Sequence, residues 1–197
     1  DIGVEFTKLG PWQQQGGSEN TVYGRCQFEI YADGVQIYKS ELLNPTNGRH
    51  ISVDIPEGTK ELKLVNKAYG SATGNDPNTN FASDSEWGNP LLVLEKDTEE
   101  LILSDMEWVS AKHYNDAHGA AFGVQKNHCS EYPWYCDTPG DPSTEQARYP
   151  GSGIYMNGDT TTPVLFEKCL GVAPDATIIY DISGLNAVKF DSDIGVE

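Results

Sequence analysis

Positive charge is scarce in this 197-residue chain: 13 Lys and Arg stand against 30 Asp and Glu, a formal net charge of −17. Such a surface repels phosphate backbones and anionic headgroups, which argues against nucleic acid and membrane surfaces as partners. Long apolar runs are missing as well. The longest are stretches such as Leu91-Leu92-Val93-Leu94, far short of the ~18 consecutive apolar residues of a membrane-spanning helix. There is no Gly-x-Ser-x-Gly elbow, no Walker loop and no His-Glu-x-x-His pair, so catalysis has little support. The abundant carboxylates read as a solvated acidic surface rather than a glycosidase pair. The chain opens at Asp1 with neither Met nor a charged-then-apolar leader, the expectation for a processed chain or one cut from something longer.

Core material is present. Hydrophobic residues make up 38 % of the chain, which excludes wholesale disorder and is enough for one sizeable domain. Its pattern is alternation, with almost no helical periodicity. Cys26, Phe28 and Ile30 fall on one face and Gln27, Glu29 and Tyr31 on the other, as in a half-buried strand. Asp33-Gly34 supplies the positive-φ pair of a tight hairpin whose return strand is Val35 to Leu43. Ile51, Val53 and Ile55 alternate again, before the turn Pro56-Glu57-Gly58 and a strand around Leu62 to Val65. Further strands are predicted at 91–95, 100–109, 164–172, 176–182 and 187–196. With about nine short strands, the fold class is all-β: an antiparallel β-sandwich of jelly-roll type.

Two segments break this rhythm. Asn66 to Pro90 is polar yet carries Tyr69, Phe81 and Trp87, and His113 to Gly153 holds Cys129, Tyr132, Trp134, Tyr135 and Cys136. Segments of more than ~15 residues without regular structure are usually functional or disordered. Glu95 to Glu100 is a charged stretch that reads as a linker between two domains. The pentapeptide Asp1-Ile2-Gly3-Val4-Glu5 recurs as Asp193-Ile194-Gly195-Val196-Glu197. Such a duplication marks one period of a longer tandem repeat, or of a polymer whose units join there, or else simply where the chain was cut.

The run Gln27-Phe28-Glu29-Ile30-Tyr31-Ala32-Asp33-Gly34-Val35-Gln36-Ile37-Tyr38-Lys39-Ser40 resembles the central hairpin of the NPCBM family, galactose-binding-like carbohydrate-binding modules often attached to glycoside hydrolases. Leu103-Ser104-Asp105-Met106-Glu107-Trp108 resembles the family's opening strand. Phe166-Glu167-Lys168-Cys169-Leu170-Gly171-Val172 resembles its Tyr-x-Lys-Gly-x-Gly segment. Tyr180-Asp181-Ile182-Ser183-Gly184 and Phe190 to Val196 resemble the two strands before the hairpin, and Lys60 to Val65 and Trp87-Gly88-Asn89-Pro90 the module's end. The likeness implies a single domain over 1–197 in permuted order: 101–197 is the first half, with 113–152 as an insertion, and 1–95 is the second. The sandwich then closes within one chain or by exchange with a neighbour. Where relatives carry Asp-His before the Trp, this chain has Ser83 and Asp84, and Ala173 replaces a further His; any sugar contact by those histidines is absent here.

Sugar recognition uses an aromatic face for pyranose C–H patches, flanked by amides or carboxylates for the hydroxyls. Trp87 with Asn75, Asp76 and Asp84 offers that set, with Tyr69 nearby; the competing reading packs Trp87 beneath the loop as a core aromatic. Trp134, with Tyr132 and Tyr135, is either a second platform, a small satellite core or a contact with an adjacent unit. Trp12 is an exposed contact or a buried one. Sandwiches of the resembled kind often hold a structural calcium ion, for which Asn75-Asp76, Asp84 and Glu86 supply hard oxygen donors; a solvated acidic loop is the plainer account. His113, Asp116 and His118 lack a strand or helix that would converge them on a metal, and His128 beside Cys129 suggests zinc less than the two local Cys suggest a disulfide. Of the three ways to pair four Cys, the expected two disulfides are Cys129–Cys136 and Cys26–Cys169, formed in an oxidising, extracellular compartment; the competing reading is four free buried thiols. Two functions are expected in competition. One is a secreted, non-catalytic module that binds glycan. The other is a structural repeat of an extracellular filament or surface adhesin, whose partners are neighbouring copies of the same domain.

Overall fold

The computed structural model describes residues 25–44, 46–69, 85–95, 100–113, 124–126, 154, 156–159, 162, 164, 166–172 and 175–196. Within them the chain forms strands β1 (Arg25–Ala32), β2 (Val35–Lys39), β3 (Arg49–Asp54), β4 (Glu61–Tyr69), β5 (Ser85–Leu94), β6 (Glu100–Ile102), β7 (Ser110–His113), β8 (Val124–Lys126), β9 (Cys169–Val172), β10 (Ala176–Asp181) and β11 (Ala187–Val196). One sheet has the order β2-β1-β4-β10-β7; the other runs β3-β11-β5-β9-β8, with β6 also paired to β5. Every named strand pair is antiparallel. The expected all-β sandwich is what the described residues build.

Period-two alternation positions the core. Cys26, Phe28 and Ile30 on β1, Leu62 and Leu64 on β4, and Ile178 and Tyr180 on β10 turn inward. They meet Ile51 and Val53 of β3, Trp87 and Leu92 of β5, and Phe190 and Ile194 of β11. Each such aliphatic or aromatic side chain contributes roughly 1.5–3 kcal/mol on leaving water. Asp33 and Gly34 sit at φ +47° and +82°, the left-handed pair a two-residue hairpin requires. Strands from both ends of the sequence interleave: β11 lies between β3 and β5, and β10 pairs with β4.

Several sequence expectations need correction. Glu95 to Glu100 does not separate two domains, because the strands on either side of it pair, with Leu91 of β5 opposite Ile102 of β6 and Val93 opposite Glu100. The strand expected at 100–109 stops at Ile102, where Leu103–Asp105 forms a 3-10 turn with Leu103 buried. The return strand of the first hairpin ends at Lys39, and Leu43 rejoins β1 only through a bridge to Cys26. Trp87 does not belong to a loop, since β5 already begins at Ser85.

Candidate functional site

The sandwich has two unlike ends. At one end the connections are tight: Asp33-Gly34, the turn after Asp54 and the turn around Ser183-Gly184. At the other end Arg25 of β1 is opposite Tyr69 of β4, Ala176 of β10 opposite His113 of β7, and Ser85 of β5 opposite both Val172 of β9 and Val196 of β11. Val124 of β8 also pairs with Val172 there. The described residues that flank 70–84 (Tyr69 and Ser85) and 114–123 (His113 and Val124) therefore all stand at this second end, and β1 begins there. Antiparallel pairing gathers long connections at one pole, which is where a rigid scaffold carries binding residues.

Beneath that pole a buried polar chain ties the sheets together. The Trp87 indole N–H donates to Asn66 Oδ1 at 2.7 Å. Asn66 Nδ2 donates to Ser85 Oγ at 2.9 Å, and Ser85 Oγ donates to the Val172 carbonyl at 3.2 Å. The Cys26 thiol lies 3.6 Å from the same Ser85 oxygen. Cys26, Asn66, Ser85 and Trp87 all have no exposed surface. Trp87 meets Phe28 of the facing sheet edge-on, centroids 4.9 Å apart, and Phe190 at 5.9 Å. Burial pushes the Cys26 thiol up to about 12, so it is an inert, protonated core group.

Trp87 is therefore corrected from a sugar platform to the central core aromatic, its competing reading. On β5 it points inward with Ser85, so no ring face is open to a pyranose. Glu86, named as a calcium donor, is fully buried. Among the described residues no three His, Cys, Asp or Glu groups converge as a metal cage; the other two named carboxylate donors, Asp76 and Asp84, lie outside the described residues. The Cys26–Cys169 disulfide is also corrected: neither sulfur is bridged to the other. Cys26 lies over Ser85, whereas Cys169 pairs with Gly88, three positions along β5. At ~3.4 Å per residue the offset is about 10 Å, beyond the ~4.4–6.8 Å Cα separation of a disulfide.

Tyr69 closes β4 at the long-connection pole, opposite Arg25; its side chain is outside the described part. His113 closes β7 at the same pole. Asn75, Asp76, Asp84, Trp12, Asp116, His118, His128, Cys129, Tyr132, Trp134, Tyr135 and Cys136 lie outside the described residues. The anchors of the segment bearing Asn75, Asp76 and Asp84, namely Tyr69 and Ser85, are both at that pole.

A polar face that sequence reasoning did not single out covers the outside of the first sheet. Glu29 is almost wholly buried there, accepting from Tyr31 Oη at 2.6 Å and from Lys67 Nζ at 2.8 Å, with Lys39 Nζ at 3.6 Å. Burial acts to raise this carboxyl, but the Lys67 and Tyr31 hydrogen bonds and the charges of Lys67 and Lys39 outweigh it and hold it below its ordinary value. Lys63 Nζ caps the Tyr31 ring at 4.2 Å, so that ring face is occupied. The signal was legible as Lys63 and Lys67 on the outward register of β4, once Glu29 is set opposite Val65 between them.

Comparison with known proteins adds three findings. A family model described as the NPCBM/NEW2 domain matches residues 14–92. The chain is 32 % identical over 112 residues to a blood-group-substance endo-1,4-beta-galactosidase of Clostridium perfringens, an alignment covering 56 % of this chain and 12 % of that enzyme. No solved structure matches. Over residues 14–92 this chain is thus similar to the NPCBM/NEW2 domain family, and the described strands around that segment form a two-sheet antiparallel sandwich.

Proposed function

We propose that this protein is a non-catalytic, extracellular carbohydrate-binding module whose sugar site lies at the long-connection pole. The observation that carries the reading is the coincidence of the family match, residues 14–92, with the strands β1, β4 and β5 that anchor this pole. In this reading Asn75, Asp76 and Asp84, which fall between Tyr69 and Ser85 in sequence, are the candidate groups for sugar hydroxyls, and Trp134 is the candidate aromatic. The galactosidase relative acts on blood-group substance by its name, so galactose-containing glycans are the first ligands to try. A glycan array with the intact chain is the test. Asp84→Ala weakens binding about tenfold, equivalent to about 1.4 kcal/mol, with the urea midpoint unchanged. A folded protein that binds no glycan on the array sinks the proposal.

A second reading, a structural subunit of a filament or adhesin that contacts neighbouring copies, is favoured by one observation: the pentapeptide shared by residues 1–5 and 193–197. Light scattering that finds a monomer at every concentration removes it.

A further inference from the structure

The duplicated pentapeptide acquires meaning from where its second copy sits. Residues 193–196 end β11, flanked by β3 and β5, and each position makes its own demand. Asp193 places Oδ1 3.2 Å from His50 Nδ1. Ile194, opposite Arg49 on one side and Trp87 on the other, is wholly buried, as is Val196 beside Ser85. At Gly195 a Cβ would fall 2.0 Å from Ile154 Cγ2 and 3.2 Å from Gly48 Cα, so the position admits only glycine without a shift of its neighbours. Residues 1–4, Asp-Ile-Gly-Val, meet all four demands in the same order.

We propose that the slot between β3 and β5 is a strand-acceptor site for two segments of the same chain, with 193–196 the resident and residues 1–5 a reserve that completes the sheet when the resident is displaced. The resident has the advantage of continuing β11, so no loop need close to seat it. The reserve reaches the slot easily. Val196, at the slot's end, is the neighbour of Ser85, and the Cys26 thiol of β1 touches Ser85 at 3.6 Å. With strands ~4.8 Å and sheets ~10 Å apart, the gap from the slot's end to the start of β1 is about 10–15 Å. Residues 6–24, nineteen in all (24 − 5), extend to about 60 Å. Seated in the slot, residues 1–4 would make the same side-chain contacts as residues 193–196, because the sequences are identical.

The test is a double-mutant cycle on the intact chain, read by urea unfolding. Ile194→Asp places a carboxylate in the core beside Trp87. With Ile2 intact, its effect on the folding equilibrium constant is expected to be at least about tenfold smaller than in the Ile2→Asp background, since only there are both occupants disabled. Ile2→Asp alone is expected to leave the constant within about twofold. Equal losses from Ile194→Asp in the two backgrounds overturn the proposal. Should the double Asp variant fail to fold, the pair Ile2→Ala and Ile194→Ala carries the same cycle. Hydrogen–deuterium exchange gives an independent reading: peptide 1–9 gains protection in Ile194→Asp, and unchanged uptake there overturns the proposal. A concentration-dependent dimer in Ile194→Asp also overturns it, by seating the reserve in another chain.

Discussion

Removing the Asn66 amide probes the link between the two sheets directly. Asn66→Ala strands the Trp87 indole N–H, which has lost its 2.7 Å partner in a site without solvent. An unsatisfied buried donor costs about 1–3 kcal/mol, and the deleted side-chain atoms leave a void worth about 1 kcal/mol more. Ser85 loses little, because its hydroxyl still donates to the Val172 carbonyl and faces the Cys26 thiol. The expected destabilisation is therefore about 2–4 kcal/mol. With a urea m-value of about 3 kcal/mol/M, the midpoint falls by about 1 M, measured by far-UV circular dichroism so that loss of an indole does not affect the signal. Trp87→Phe strands the Asn66 carbonyl instead and costs a similar amount. Combining the two removes donor and acceptor together, so the double variant loses about 1–3 kcal/mol less than the sum. Additive losses, or an Asn66→Ala cost under about 1 kcal/mol, would refute the role given to this chain of hydrogen bonds.

Other outcomes follow from single contacts. Gly88→Ala sets a Cβ 2.6 Å from the Phe166 ring; it costs about 1–3 kcal/mol by thermal unfolding, and Phe166→Leu recovers part of that loss. Because the Glu29 carboxyl is held below its ordinary value in the fold, its contribution is present above the unfolded pKa and lost as pH falls through the folded one. Glu29→Gln should therefore flatten the decline of stability below about pH 4.5, and an unaltered acid limb contradicts the ion cluster. The Cys26 thiol runs the opposite way: pushed up to about 12 from 9.0, it favours the fold below pH 9 and that support is lost as pH rises toward 12, where Cys26→Ala should decline less steeply. Native Cys26 and Cys169 should resist alkylation at pH 8 and react fully in urea, as read by peptide mass; rapid native labelling of Cys26 means it is not sealed.

The sandwich was legible in the chain because a strand with one buried face carries its partition in every second residue. Phe28 and Ile30, Ile51 and Val53, Leu62 and Leu64 announce their inward face locally, and Asp33-Gly34 announces its turn through the backbone it must adopt. The hairpin residues also carried the resemblance that the match over 14–92 bears out. Trp87 was not legible in the same way. Its flanks, Glu86, Gly88 and Asn89, read as loop, and only pairing with Ile194 and Leu170 on neighbouring strands draws it into the core. Nor did any local signal mark Asn66 as buried: a polar residue is tolerated inside only because Trp87 and Ser85, nineteen and more positions away, satisfy its amide. Whether Cys26 meets Cys169 was likewise a question of register between sheets, which composition does not encode. Periodicity is a property of a segment and can be read from it, whereas the partner of a polar atom is set by chain closure over long separations, and only the folded arrangement decides it.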